Sequence, residues 1–365
     1  VHDTQITHST VGDRFPALSR ALDLVEETLY STPVIDAVRG INGVSLESAL
    51  EQDPASVNDR DVTGQTALHW AAYLQDIAAV RKLLRYKADV SARELAGWTP
   101  LHLAAMNCGG SMMVHILLEA GSDPNAETVH GHTPLHEAVQ WAAKEKVLAL
   151  LEAGAKADTC DQYGRTSLHQ AAVEVYPGVV PNAEEQLFSI FQALVENGAD
   201  VNRRNNDNDT PLAVAIRYNN VLVIRALRRL GVKLDYQTGA ADTVLHEAAW
   251  WAKSQVLREL IEIDFGSVDL DDVDEHGWTA TDVFELRSST PLVDLDPGQC
   301  ATTDEEAALF EILVTKMRQR VHGAETLDSG DGDSAKDPDA EDSGEEWLDA
   351  QEFLVEEQIQ RAEGR

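Results

Sequence analysis

Apolar residues recur along this chain in short bursts, most of them opened by a threonine. The first kind of burst reads TALHWA at 66–71, TPLHLA at 99–104, TPLHEA at 133–138, TSLHQA at 166–171, TPLAVA at 210–215 and TVLHEA at 243–248. The opening threonines lie 33, 34, 33, 44 and 33 residues apart. Threonine caps a helix start and proline fits just inside one, so each phrase predicts a helix. A second burst follows with apolar residues on one helical face, such as Val80, Leu83 and Leu84, or Val147, Leu150 and Leu151. A glycine (Gly64, Gly97, Gly131, Gly164) precedes the threonine and suits a turn. One such period cannot bury its apolar side alone, whereas stacked periods make a continuous core.

Each period closes on a second phrase at a fixed offset: KADVS, GSDPN, GAKAD, GADVN, GVKLD. Together these phrases resemble the ankyrin-repeat family over most of residues 30–320. The resemblance implies an all-α repeat protein, a curved solenoid of about eight helix pairs with short β-turn tips. Two weaker periods flank the six. Thr32-Pro33-Val34-Ile35-Asp36-Ala37 puts Ile35 at the histidine position, and His276-Gly277-Trp278-Thr279 puts Asp282 there. A helix over 305–317 would complete the last period. The organisation expected is an N-terminal segment with a capping helix (1–31), the repeats (32–320), an acidic disordered linker (321–346) and an amphipathic helix (347–365). The 44-residue spacing marks an insertion over 173–186, read as a loop between the helices of one period.

Charge narrows the choice of partner. The chain carries a formal −34. Residues 303–365 hold 19 acidic and 6 basic residues, a net −13, which leaves −21 for the remainder. Phosphate recognition needs a basic surface, so direct nucleic-acid binding is not expected. A basic protein or peptide suits the field better. Three separated cysteines (Cys108, Cys160, Cys300) give neither a disulfide framework nor a zinc motif, and fit a reducing compartment, cytoplasmic or nuclear. The first residues carry no signal-peptide pattern, and no stretch is long and apolar enough for membrane insertion.

Candidate chemistry is sparse. Neither HExxH, GxSxG nor GxxxxGK[ST] occurs, so no catalytic residue, metal or cofactor is expected. Gly109-Gly110 beside Cys108 reads as a helix stop. By the family resemblance, His69, His102, His136, His169 and His246 are structural, tying adjacent turns together. His130 and His132 are expected in solvent at a turn. The resemblance also places partners on a concave face of inner helices and turn tips. The positions expected to line it are Trp70 and Tyr73; Leu103 and Met106; Glu137, Gln140 and Trp141; Gln170 and Val173; Val214 and Arg217; and Glu247, Trp250 and Trp251. Trp98 and Trp278 stand at tips, and Tyr176 starts the inserted loop. Aromatic residues interleaved with acids favour a partner bearing Lys or Arg. The function expected is an intracellular protein–protein adaptor or scaffold. A regulatory or accessory subunit of an enzyme, and an enzyme or carrier using an aromatic concave pocket, remain open alternatives.

Overall fold

A computed structural model of the chain describes residues 32–41, 43–106, 110–173, 175, 182–263, 268–290 and 302–328, with side chains as far as 319. The expected capping helix before residue 32, the anchor Tyr176 and the helix after 346 lie outside the described residues. The chain divides into two compact units, residues 1–162 and 163–365.

The first unit holds four helix pairs: α1 (Pro33–Arg39) with α2 (Leu46–Gln52), α3 (Ala67–Tyr73) with α4 (Ile77–Arg85), α5 (Pro100–Ala105) with α6 (Met112–Glu119), and α7 (Pro134–Gln140) with α8 (Lys144–Glu152). First helices pack on first helices, α1 on α3, α3 on α5 and α5 on α7, while α4, α6 and α8 form the second row. The second unit repeats the plan with α9 (Ser167–Val173) and α10 (Ala183–Glu196), α11 (Pro211–Arg217) and α12 (Val221–Arg229), α13 (Val244–Trp251) and α14 (Ser254–Ile261), and α15 (Ala280–Ser289) and α16 (Asp304–Asp328). Its rows are α9–α11–α13–α15 and α10–α12–α14–α16. Among the described residues β pairing is confined to isolated bridge residues, such as Val273 with Thr279, so the fold is all-α.

The phrases explain the rows. Leu68, Leu101, Leu168 and Leu212 are wholly buried, as are the pairs Ala71–Ala72, Ala104–Ala105, Ala171–Ala172 and Ala248–Ala249. Alanine lets first helices approach closely and costs no side-chain entropy. Turn tips are equally tight. Gly97 has φ +85°, and a Cβ there would stand 2.9 Å from the Val129 amide nitrogen of the next tip. Asn58, Asn125 and Asn202 join successive periods further out. Their Oδ1 atoms accept from the amides of Asp89 (2.8 Å), Lys156 (2.8 Å) and Lys233 (2.7 Å).

Three elements differ from the sequence reading. Helix α10 begins at Ala183, inside the stretch read as a loop, and is 14 residues long. Helix α16 runs on to Asp328, past the boundary at 320. Asp282 does take the histidine position, its Oδ2 accepting from the Thr279 amide at 2.9 Å.

Candidate functional site

The five signature histidines share one geometry, built from the start of their helices. Thr66, Thr99, Thr133, Thr166 and Thr243 donate their backbone N–H to the histidine Nδ1 three residues on, at 3.1–3.2 Å. The histidine thus plays the part that glutamate plays in a capping box. An Nδ1 that accepts from an amide leaves the proton on Nε2. That atom reaches a carbonyl of the following tip: Trp98 from His69 (3.0 Å), His132 from His102 (3.1 Å), Asp209 from His169 (3.0 Å) and Trp278 from His246 (2.9 Å). Each of these four rings is therefore a joint between consecutive periods, with both nitrogens engaged with backbone. All five rings are buried.

Burial sets the titration of His69 and His102. It lowers His69 from its ordinary 6.5 to about 4 and His102 to about 3, against the opposing pull of the carbonyls they contact. An unfolded chain takes up these protons near 6.5 while the folded chain does not. Stability conferred by the two rings is therefore complete above 6.5 and is lost as pH falls, through about 4 for His69 and about 3 for His102. Within that window each ring changes stability by about 1.4 kcal/mol per pH unit. Urea midpoints measured from about pH 7 down to about pH 4 should fall accordingly, and His102→Gln should flatten the slope. A variant with the wild-type slope would contradict the joint at His102.

The helix residue directly after each histidine was expected on an open face. The structure buries it after His69, His102, His136 and His246 and leaves Gln170, after His169, half-buried. Trp70 is 5% exposed, and its indole donates to Asp61 Oδ2 at 2.8 Å beneath its own tip. Glu137 is 2% exposed beside His132, and Glu247 is 1% exposed and accepts from Arg217 at 2.5 Å. Leu103, Met106 and Val214 are buried as well. These side chains point under the turn rather than away from the stack, so Trp70, Met106, Glu137 and Glu247 present no surface to a partner. His132 also departs from expectation. It sits half-buried between Glu137 Oε1 (3.4 Å) and Asp161 Oδ2 (3.5 Å), with its ring stacked on His136.

Apart from Met106, the position three residues further on stays accessible. Tyr73, Gln140, Val173, Arg217 and Trp250 are half-buried, and Leu286 is exposed. Trp98, Trp141 and Trp251 are likewise half-buried, and Trp278 is exposed at its tip. Among the described residues no group of three His, Cys, Asp or Glu side chains is placed to hold a metal ion, and no helix is long and apolar enough to cross a membrane.

A family model described as "Ankyrin repeats (3 copies)" matches residues 34–128, 113–181 and 182–274. The chain belongs to the ankyrin-repeat family. It is 27% identical over 221 residues to the B-cell lymphoma 3 protein homolog of Mus musculus, covering 59% of this chain and 48% of that protein. It is 43% identical over 67 residues to Palmitoyltransferase AKR1 of Candida albicans, covering 18% of this chain and 8% of that protein. To human inversin it is 34% identical over 91 residues, covering 24% and 8% respectively. The chain thus matches about half the length of the first relative and under a tenth of the other two. Ankyrin repeats are a protein–protein interaction module, and that is the class of this chain.

Within the ankyrin stack, a second set of joints went unread in the sequence. Lys146 is wholly buried on α8, and its Nζ donates to the Ala104 carbonyl at the end of α5, at 2.7 Å. Asn220 donates to Ala171 (3.0 Å) and Arg287 to Ala249 (3.1 Å) and Ala252 (3.2 Å), closing the ends of α9 and α13 in the same way. A helix end leaves carbonyls unpaired, and each of these side chains comes from the following period to pair them. Where Ala213 replaces the histidine, a charged link appears. Arg217 reaches back to Asp209 Oδ2 (2.8 Å) and forward to Glu247 Oε1 (2.5 Å). Burial pushes the Glu247 carboxyl up to about 7, against the pull of Arg217. Its contribution to stability runs opposite to that of the histidines. The folded carboxyl keeps a proton that an unfolded one loses near 4.5, so stability falls as pH rises through about 7.

Proposed function

We propose that the chain is a non-catalytic adaptor or scaffold that docks a protein partner of basic character on the accessible row of its inner helices. One observation carries this reading. The histidines, buried acids and buried cations are spent on joints between periods, while aromatic side chains remain accessible beside acids. Aromatics supply rigid contact area, and a net charge of −34 attracts a cationic partner over a distance. The few, separated cysteines suit a reducing compartment, so the cytoplasm or nucleus is the proposed location.

The test begins with affinity purification from source cells and identification of the partner by mass spectrometry. Tyr73→Ala and Trp250→Ala should then each weaken that partner by roughly tenfold or more, as loss of an interface aromatic commonly does. Circular dichroism should report an unchanged helical signal, because both side chains are half-exposed. Affinity that survives both substitutions would place docking elsewhere. Turnover of a small molecule by the pure chain would sink the adaptor reading itself.

A further inference from the structure

The last described helix pair carries a hollow of about 400 Å³ lined by Trp278, Asp282, Glu285, Leu286 and Ser289. Its walls divide by chemistry. Trp278 is 39% exposed and Leu286 37%, large apolar surfaces for an open site. Asp282 and Glu285 are both exposed on α15. The Thr279 hydroxyl and amide, at 2.7 and 2.9 Å, fix the Asp282 carboxylate and hold it below its ordinary range, so it stays charged. Glu285 makes no ion pair with another described residue.

The same protein shows what such a set of groups accepts. In the first unit the Arg39 guanidinium lies 4.5 Å over the Trp70 ring. The Trp70 indole is held by Asp61 at 2.8 Å, and Asp61 and Asp36 supply opposite charge near the guanidinium. That arrangement is satisfied internally. At Trp278 the ring and two carboxylates are present, and no arginine of the described chain is stacked on the ring. An arginine suits these groups better than a lysine. Its planar cation stacks on an indole and presents a fork of donors to a carboxylate, while its methylene stem can lie on Leu286.

We propose that this hollow receives an arginine side chain of the partner protein, with its guanidinium on Trp278, its charge met by Glu285 and Asp282, and its stem against Leu286. The inference rests on the adaptor reading for the source of the arginine, and on the hollow alone for its chemistry. It also names the helix pair, α15 with α16, at which the partner is read, which the accessible row by itself does not.

The experiment uses the full chain labelled with nitrogen-15, following the Trp278 indole N–H by NMR. N-acetyl-arginine amide is titrated against N-acetyl-citrulline amide, which keeps the shape and lacks the charge. Arginine should give a saturable shift, with an affinity roughly tenfold above that of citrulline, the scale of a cation–aromatic contact with charge pairing. Glu285→Gln should lower the arginine affinity several-fold, and the exposure of Glu285 makes the fold tolerant of the change. Equal responses to the two probes, no saturable shift, or an unaltered affinity in Glu285→Gln would each overturn the site. Failure of the adaptor reading has a different signature. If arginine binds in the hollow and no protein partner is recovered from source cells, the adaptor reading falls and the site stands. If a recovered partner binds wild type, Glu285→Gln and Trp278→Phe equally, the adaptor reading stands and this site falls.

Discussion

Arg287→Met should destabilise the second unit by about 3–5 kcal/mol, the range for removing one partner from a buried ion pair. Arg287 is 2% exposed and faces Glu306 at 3.3 Å, itself 6% exposed. Methionine fills similar space but leaves the Glu306 carboxylate uncompensated and the Ala249 and Ala252 carbonyls without that donor. A second substitution, Glu306→Gln, removes the stranded charge and should recover part of the loss. Because repeat stacks are stabilised by neighbour-to-neighbour terms, the effect should fall first on α13, α15 and α16. Amide hydrogen exchange resolves that directly. A change in urea-unfolding free energy below about 1 kcal/mol, a size typical of a surface substitution, would show that the pair is not a joint.

His102→Ala should cost about 2–4 kcal/mol. The ring is fully buried, and its removal strands the Thr99 amide, takes one of two donors from the His132 carbonyl, which keeps the Thr128 amide at 2.9 Å, and opens a cavity. The stranded amide accounts for about 1–3 kcal/mol, and the lost contact and cavity add to it. The α11 period lacks this ring because Ala213 stands in its place, and there Arg217, Asp209 and Glu247 form the link between periods. That comparison argues that a joint is needed at each step and that its chemistry can vary. Equilibrium unfolding of His102→Ala in urea measures the cost, and an unaltered midpoint would remove the histidine from the account.

Much of this architecture was readable in the sequence because the relevant contacts are local or periodic. Thr66 and His69 are three residues apart on one helix turn, and the same phrase returns one period later, so the first helix of each period, its start and the stacking order were legible, whereas the start of α10 was not. The residue after the histidine was not. Trp70 and Glu247 lie on the inner side of their helices as the period implies, yet whether that side is open depends on how far each tip folds over it. That depth is set by contacts such as Trp70 to Asp61, which no spacing announces. Lys146 and Arg287 were illegible for a related reason. A cation on a helix ordinarily reads as solvated surface, and only the carbonyls of the preceding period make it an interior group. Asn58, Asn125 and Asn202 left a fainter trace, an asparagine recurring near the close of a period, but nothing in the sequence said what it bonded. The accessible row four residues beyond the histidine position was already within the candidate set through Tyr73 and Trp250. What the structure changed is which neighbours share its exposure.

The central claim is that the signature histidines hold period to period and leave partner docking to the accessible side chains. Nitrogen-15 NMR of the histidine rings in the intact chain tests it most directly. His69, His102, His136, His169 and His246 should all carry the ring proton on Nε2, with Nδ1 accepting from a threonine amide. Added zinc should leave them unmoved, and His69 and His102 should stay neutral until the pH falls to about 4 and about 3. Rings protonated at Nδ1, shifts on adding zinc, or titration of His69 or His102 near the ordinary 6.5 would contradict it.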